Sequence, residues 1–249
     1  MDSAGKNARY TCLNYLKDYN LSQLSLPIKL DDNAVFENYL PGQNQNLINF
    51  LKDLILPNCY IPSCWLWGQH SSGKSHLLQA TCERFQDNAI YLPMEDMIEE
   101  DSSILDGMNT RKIICIDDIH LCAQSESWEL SLFELFNRLK DFESTLLVSS
   151  LNNPMNTSFN LADLSSRFSQ YSIFKVQALN DEDCKLALQL RAKQRGIQLS
   201  DEVASYLLSH QKRDMSVLYN FLDKLDKESL AAKRKLTLPF VRLIMNQSD

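Results

Sequence analysis

The sequence predicts an α/β protein with a central, mainly parallel sheet, followed by a small all-helical domain. Short apolar strand candidates alternate with helix candidates from about residue 44 to about 175, and this alternation favours parallel strands joined by helical crossovers. A complete phosphate-loop motif at 68–75 lies between a strand candidate and a helix candidate. After about residue 178 the strand signal disappears, and only helical patterns follow.

The predicted elements begin with a helical pattern at 47–55. Short apolar strands follow near 63–67, 89–92, 112–117, 145–149 and 171–176, with helices near 74–86 and 126–140 between them. The later helices run roughly over 180–196, 200–210, 214–228 and 238–246. We therefore expect a flexible amino-terminal segment at 1–32, an α/β domain at 33–177 and a helical domain at 178–249.

The phosphate loop carries the strongest chemical signal in the chain. It has the pattern G-x-x-x-x-G-K-S and consists of Gly68, Gln69, His70, Ser71, Ser72, Gly73, Lys74 and Ser75. The glycines let successive backbone N–H groups converge on phosphate oxygens, while Lys74 places a cation on the outer phosphates and Ser75 offers a hydroxyl to magnesium. A chance glycine turn is the alternative, but the flanking strand and helix patterns favour nucleotide binding.

A second nucleotide signal is an apolar strand at 112–118 that ends in two carboxylates. This is the pattern of a Walker B element, in which Asp117 holds magnesium through water, together with Ser75, and Asp118 polarises an attacking water. An acidic turn after a strand explains the pattern equally well in isolation. The spacing from the phosphate loop favours the nucleotide site.

Composition and charge exclude several classes of protein. The net charge of −7 argues against an autonomous binder of duplex DNA, and the basic segments at 191–195 and 233–235 lie at helix-like positions that favour a solvated face. No apolar stretch predicts a membrane span or a secretory signal, so we expect a cytoplasmic protein without a membrane partner. The seven cysteines show no C-x-x-C pair, which indicates reduced thiols.

Four segments together resemble the AAA+ ATPases of the DnaA clade: the phosphate loop, the strand at 113–118, the segment at 161–168 and the helical tail. The resemblance implies an AAA+ P-loop domain with a central parallel sheet flanked by helices, followed by a small all-α lid domain. It also implies that the L-x-S-R-F stretch at 164–168 is an arginine-finger motif, so that Arg167 faces the nucleotide of a neighbouring subunit. The segment at 36–39 resembles the clade's amino-terminal segment, which packs near the adenine base.

The chain ends at Asp249, directly after the predicted lid, and the DNA-binding helix-turn-helix of the DnaA initiator is therefore not expected. The resemblance then implies a short regulatory homologue that inactivates DnaA after replication has started. Members of this kind carry a sliding-clamp-binding peptide near the amino terminus. The segment at 23–28 is a close match, and its first five residues are Gln23, Leu24, Ser25, Leu26 and Pro27. A linker or strand edge is the alternative for so short a pattern.

These similarities imply the partners and cofactors. The expected partners are DnaA and the DNA polymerase sliding clamp (beta subunit), with DNA contacted only indirectly through the clamp and with homo-oligomers left open. The expected cofactors are Mg²⁺ and either ADP or ATP. Two departures weaken ATP turnover by the chain itself: Ser216 stands where the clade has a sensor arginine, with Arg213 out of register, and Leu151 stands where an aspartate is common.

Three functions therefore remain open. The first is an adaptor that presents Arg167 to ATP held by DnaA and so stimulates hydrolysis in its partner. The second is a self-sufficient AAA+ ATPase such as a helicase loader, for which Asp118 argues. The third is a clamp-bound scaffold that hydrolyses nothing. The weakened sensors favour ADP as the working ligand and favour the adaptor.

Overall fold

The computed structural model describes residues 34–54, 63–108, 111–142, 144–212 and 214–246. Five strands form one parallel sheet in the order β2-β3-β4-β1-β5. They are β1 Cys64–Trp67, β2 Ala89–Pro93, β3 Ile113–Asp117, β4 Thr145–Ser150 and β5 Ser172–Lys175. All five predicted strands are present. The inner strands β1, β3 and β4 are buried because helices cover both faces of the sheet, whereas the edge strands β2 and β5 are partly exposed.

The helices of the α/β domain are α1 Gln45–Asp53, α2 Lys74–Phe85, α3 Met94–Met97, α4 Glu126–Phe142 and α5 Ala162–Phe168. Side chains alternate between the two faces of each strand. Trp65 points into a core shared with α4 and α5, whereas its neighbours Cys64 and Leu66 point into a core shared with α1 and α2. The four residues of α3 form a single turn, which is too short for a periodic pattern to reveal in the sequence.

The helical domain contains α6 Asp181–Gln194, α7 Asp201–His210, α8 Met215–Ala232 and α9 Leu238–Asn246. The side chains of Asn180, Ser200 and Asp214 cap the starts of α6, α7 and α8 by accepting backbone N–H groups. Fully buried leucines, Leu188, Leu207, Leu222 and Leu225 among them, form the core of this domain.

The basic segment at 233–235 does not lie on a helix, which corrects the expectation from the sequence. Lys233 ends α8 in the left-handed conformation, with φ +52, and the chain then runs as a loop to α9. The other basic segment is used inside the helical domain, where Arg195 lies 2.7 Å from Asp223 and Arg191 stacks on Tyr219. In the part of the chain that the structure describes, no helix has the length and apolar character needed to cross a membrane.

The carboxyl ends of β1, β3 and β4 meet at one edge of the sheet, because all strands are parallel and β4 lies between the other two. The phosphate loop follows β1, the carboxylate pair ends β3, and two buried serines, Ser149 and Ser150, end β4. This edge is where open α/β sheets bind ligands.

Candidate functional site

Two glycines allow the phosphate loop to adopt its shape. Gly68 donates its N–H to the carbonyl of Ser150 at 3.2 Å, and a Cβ on Gly68 would lie 2.6 Å from the carbonyl oxygen of Val176. Gly73 has φ +95, and a Cβ there would lie 2.7 Å from the ring of Tyr39. Because both approaches are closer than any side chain permits, each position requires glycine.

Lys74 begins α2, and its ammonium is held inside the loop. Its Nζ donates to the carbonyl oxygens of Gly68 at 3.0 Å and Gln69 at 2.8 Å. Burial lowers the pKa of Lys74, and the nearby carboxylates of Asp118 and Asp117 oppose that effect. The loop therefore keeps a preoriented cation next to the amide groups that would receive phosphate oxygens.

Ser72 also fits a phosphate ligand. Its hydroxyl is buried and has no hydrogen-bond partner among the described residues, and such a group costs stability unless a ligand or water satisfies it. Neighbouring Ser71 has φ +55, so that the backbone of the loop turns sharply at this point. The loop thus presents polar groups toward its concave side, as expected for a phosphate cradle.

The carboxylate of Asp117 is oriented by two hydroxyl groups. The Tyr91 hydroxyl donates to Oδ2 of Asp117 at 2.6 Å, and the Ser149 hydroxyl donates to Oδ1. Ser149 in turn accepts the backbone N–H of Asp118 at 2.8 Å. The sequence alone does not point to Tyr91. Its contact depends on β2 lying beside β3, which no local pattern reveals.

Asp118 lies just beyond β3 in the left-handed conformation, with φ +53. Burial raises the pKa of its carboxyl group, and Asp117 adds to the rise. The Nδ1 atom of His120 lies 3.8 Å from Oδ1 of Asp118, and burial lowers the pKa of this histidine. Asp118 is therefore a carboxylate with raised basicity at the mouth of the loop, which suits a group that orients or polarises water.

The site is a cleft of about 380 Å³ between the α/β domain and the helical domain. The phosphate loop from His70 to Ser75 forms one wall together with Asp118, and Tyr39 comes from the segment before α1. The helical domain contributes Met215, Ser216 and Tyr219 from α8. His76 of α2 contacts the segment that carries Tyr39: its Nε2 lies 3.0 Å from the carbonyl oxygen of Val35.

A direct contact joins the phosphate loop to the helical domain. The hydroxyl of Ser71 donates to Oδ1 of Asp214 at 2.6 Å and lies 3.2 Å from the hydroxyl of Ser216. The same Asp214 oxygen caps α8 by accepting the N–H groups of Ser216 and Val217. One carboxylate thus links the phosphate loop to the first turn of α8. The sequence does not predict this arrangement.

Ser75 and Asp117 line a common pocket of about 210 Å³ next to the main cleft. A hydroxyl and a carboxylate are oxygen ligands of the kind that Mg²⁺ prefers, and this cation usually takes further ligands from water and nucleotide phosphates. Among the described residues there is no cluster of three or more metal-binding side chains. The pair therefore suits a magnesium ion that arrives with a nucleotide, and not a site built from protein ligands alone.

Arg167 lies in the last turn of α5, outside the lining of the cleft described above. Its guanidinium stacks on the rings of Phe133 at 4.2 Å and Phe136 at 4.7 Å, and it donates a hydrogen bond to the side-chain oxygen of Asn137. Within the described residues its contacts do not include an ion pair with Asp163. The half-buried guanidinium is thus held against α4 by aromatic faces, and no carboxylate of the described residues forms an ion pair with it.

Comparison with known proteins identifies the family. Residues 30–174 match the family model described as the bacterial DnaA ATPase domain, and residues 181–245 match the model described as the lid domain of Hda. The chain belongs to the DnaA-related AAA+ family and is of the Hda type. Its nucleotide-binding domain is accordingly of the DnaA-family AAA+ kind.

Solved structures share the fold of this Hda-type protein. Domain III of the Thermotoga maritima replication initiation protein DnaA is 21% identical with a TM-score of 0.74, over 88% of this chain and 98% of that one. DnaA from Aquifex aeolicus, solved with AMPPCP, is 21% identical with a TM-score of 0.65, over 80% of this chain and 66% of that one. The RuvB branch migration motor of Thermotoga maritima is 13% identical with a TM-score of 0.62, over 81% of this chain and 68% of that one.

The structure brings most of the predicted site residues together. The phosphate loop, Asp117 and Asp118 lie around the cleft, and Ser216 lies on its lid wall. Arg167 lies apart from them on α5. The clamp-binding segment, with Gln23, Leu24, Ser25, Leu26 and Pro27, falls outside the described residues, and so does Arg213. The clamp segment and the role of Arg167 therefore remain predictions.

Proposed function

We propose that this Hda-type protein is a nucleotide-bound adaptor that docks on the DNA sliding clamp and stimulates ATP hydrolysis by DnaA. DnaA would thereby be converted to its inactive ADP form, which makes the protein a negative regulator of replication initiation. The observation that carries the proposal is that Arg167, in a segment that resembles an arginine finger, holds its guanidinium outside its own chain's cleft.

The cleft supports nucleotide binding by the adaptor itself. Lys74 supplies a cation and Ser72 an unpartnered buried hydroxyl, while Tyr39 and Tyr219 offer rings to the base. Ser75 and Asp117 would hold Mg²⁺, which neutralises phosphate charge when it is bound. Ser216 presents a hydroxyl where the clade has an arginine, so the outer phosphate of a triphosphate would gain less stabilisation. We therefore propose ADP as the working ligand.

Arg167 would complete the hydrolytic site of DnaA. A guanidinium delivered in trans neutralises charge that develops on the transferred phosphoryl group, and its planar fork contacts two oxygens at once. The rings of Phe133 and Phe136 support this role because stacking orients the guanidinium without consuming its charge. The clamp segment at 23–28 would bring the finger to DNA-bound DnaA, with Leu24 and Leu26 as apolar anchors in a groove.

Arg167→Ala tests the proposal directly. We expect it to keep nucleotide and clamp binding but to lose stimulation of DnaA, because comparable fingers contribute about 10³–10⁵ in rate. Arg167→Lys should restore stimulation only weakly, since a point charge lacks the fork. The measurement is ATP hydrolysis by DnaA with clamp-loaded DNA and this protein.

Arg84→Ala is the matched control. Arg84 is an exposed arginine near the end of α2, which packs on the face of the sheet opposite to α4 and α5. Equal stimulation by the parent and Arg167→Ala would contradict the trans-acting mechanism and favour a clamp-bound scaffold. Fast ATP turnover by this protein without DnaA would favour a self-sufficient ATPase, for which the raised pKa of Asp118 is the supporting observation.

A further inference from the structure

Glu129 on α4 is a buried carboxylate that no part of the proposed chemistry uses. Its side chain is only 2% exposed. Oε1 accepts the backbone N–H groups of Gln124 at 2.8 Å and Asn160 at 2.9 Å, and Oε2 accepts that of Leu161 at 2.7 Å. A carboxylate is costly to bury unless hydrogen bonds replace its hydration, and here three backbone donors do so.

Two of these donors lie at the start of α5. Leu161 is the residue that precedes the helix, and no side chain of the segment caps it. Glu129 therefore accepts, from another helix, the N–H group of the N-cap residue, a bond that the glutamate of a capping box usually makes from within the same helix. A negative charge at this end of a helix is also favourable to the helix dipole. The start of α5 is thus fixed to α4 by hydrogen bonds from a charged group, which are stronger than neutral ones.

The same face of α4 holds the other end of α5. Glu129, Phe133, Phe136 and Asn137 follow a spacing of 4, 7 and 8 residues, which places them in one stripe along the helix. Phe133, Phe136 and Asn137 contact the guanidinium of Arg167 in the last turn of α5. The stripe therefore contacts α5 through Glu129 at its start and through Arg167 near its end.

The third donor connects this stripe to the nucleotide side of the domain. Gln124 has φ +69 and lies in the connection that runs from Asp118 to the start of α4. Its N–H group shares Oε1 of Glu129 with the N–H group of Asn160. One carboxylate oxygen thus joins the loop after the Walker B strand to the loop before the finger helix.

We propose that Glu129 is a positioning residue for Arg167: its carboxylate sets the place of α5 on α4 and thereby the place of the guanidinium. The proposal rests on the proposed function, in which Arg167 acts on the nucleotide of DnaA. Glu129 is buried and lines neither the cleft nor the pocket beside it, so it would act only through α5. Without it, the two residues that lead into α5 would lose the acceptor that holds them to α4, and the guanidinium would sample positions away from the phosphoryl group.

Glu129→Gln is the informative change, because glutamine keeps the size but turns an NH₂ group toward at least one of the three backbone donors. We expect nucleotide affinity within about twofold of the parent and stimulation of DnaA lowered about 10- to 100-fold, since a displacement near 1 Å can cost that much. The half-saturating concentration of the adaptor should change far less than the maximal rate. Glu126→Gln, an exposed glutamate on the same helix, is the matched control and should stimulate as the parent does.

A double variant separates positioning from general destabilisation. If Glu129 acts through Arg167, then Glu129→Gln combined with Arg167→Ala should stimulate DnaA no less than Arg167→Ala alone. A further loss in the double variant would overturn the proposal, because it would show a route that bypasses the finger. Unchanged stimulation by Glu129→Gln alone would also overturn it.

Amide hydrogen exchange tests the structural half without DnaA. In Glu129→Gln we expect the N–H groups of Asn160 and Leu161 to exchange about tenfold faster or more, with the strands of the sheet unchanged. Unchanged exchange at both amides would contradict the proposal even if the proposed function held. If the parent fails to stimulate DnaA while these amides respond, the proposed function fails and the role of Glu129 in holding α5 stands.

Glu129→Asp replaces the glutamine variant if that variant is too unstable to purify. It keeps the charge but shortens the reach of the carboxylate, and both measurements, stimulation of DnaA and amide exchange, apply to it unchanged.

Discussion

Individual side chains around the cleft combine burial with charge in a way that suits phosphate. Lys74 is nearly buried, yet its ammonium has two carbonyl acceptors, and two carboxylates oppose the fall in its pKa. Asp117 has a hydroxyl donor on each oxygen. Each charged group is thus oriented by a neutral partner, which leaves the charge itself available to a ligand.

Lys74→Ala should lower nucleotide affinity by about tenfold or more, because it removes the cation from the phosphate cradle. The fold should survive, since the hydrogen bonds of Lys74 within the described part of the chain are to backbone carbonyls only. Equilibrium binding of a fluorescent ADP analogue measures the effect. Lys112→Ala, at an exposed site beside β3, should bind as the parent does. Equal affinity in a folded Lys74→Ala variant would rule out the assigned role of the loop.

Tyr91→Phe removes one of the two donors to Asp117 and leaves the ring in place. Burial and Asp117 together raise the pKa of the Tyr91 hydroxyl, which therefore remains a donor throughout the physiological range. We expect the Mg²⁺ concentration for half-maximal ADP binding to rise about threefold to tenfold, in line with ~1 kcal/mol for a hydrogen bond. Binding in the absence of Mg²⁺ should not change. A variant that needs no more Mg²⁺ than the parent would show that Ser149 alone orients Asp117.

At the scale of elements, short helices carry the groups that must be placed accurately, and longer helices hold them. α5 has only seven residues and depends on α4 to hold the residues that lead into it and to position Arg167. α8 begins at a capping aspartate that also contacts the phosphate loop. The start of α5 is therefore connected to α4, and the start of α8 to the phosphate loop.

Asp214→Ala should destabilise the protein at neutral pH by about 1 kcal/mol, the usual cost of a lost cap, which corresponds to roughly 2–4 °C in Tm. The hydrogen bond from Ser71 holds the pKa of Asp214 below its ordinary value, and the capped amides add to this effect. A group with a lowered folded-state pKa stabilises the fold above its unfolded-state pKa, and this contribution is lost as the pH falls through the folded-state pKa. The Tm difference between parent and variant should therefore shrink as the pH is lowered from neutrality into the range where aspartates titrate.

Asp214→Asn provides the comparison for that experiment. Asparagine keeps a neutral capping acceptor but does not titrate, so the Tm difference between the Asn and Ala variants should stay constant with pH. If the parent and Asp214→Ala differ equally at neutral and acidic pH, the charge of Asp214 contributes nothing beyond its acceptor oxygen.

At the scale of the whole molecule, the cleft exists only because the helical domain closes over the sheet edge. Tyr39 and the phosphate loop come from the α/β domain, whereas Met215 and Tyr219 come from α8. Arg167 lies away from this cleft on α5. The arrangement separates the nucleotide that the protein would hold from the nucleotide on which its finger would act.

Replacing Leu24 and Leu26 together by alanine should abolish clamp binding and leave nucleotide binding unchanged, because apolar anchors act only in the clamp groove. Stimulation of DnaA should then fall with clamp-loaded DNA, although Arg167 is intact. Clamp pull-down and ADP binding of the same preparation are the measurements. Ser22→Ala, directly before the segment, should retain clamp binding. Full recovery of the double variant would mean that the tether lies elsewhere in the chain.

Local patterns in the sequence determined the strands, the longer helices and the two nucleotide motifs. All five strands, from β1 to β5, were predictable from short apolar runs bounded by polar residues, and the inner strands β1, β3 and β4 are buried on both faces. The phosphate loop is equally local, because its glycines, Lys74 and Ser75 act through the backbone of one turn. The small helical domain was predictable from the loss of strand signal after residue 178.

Tertiary structure alone decided the contacts between distant segments. Tyr91 reaches Asp117 across neighbouring strands, Asp214 meets Ser71 across the cleft, and Glu129 meets Leu161 between two helices. Each pair joins residues that are 26 to 143 positions apart. No periodicity encodes such pairs, since hydrogen bonds depend on distance and direction in space. They form only when strand order and helix packing bring the two groups within about 3 Å.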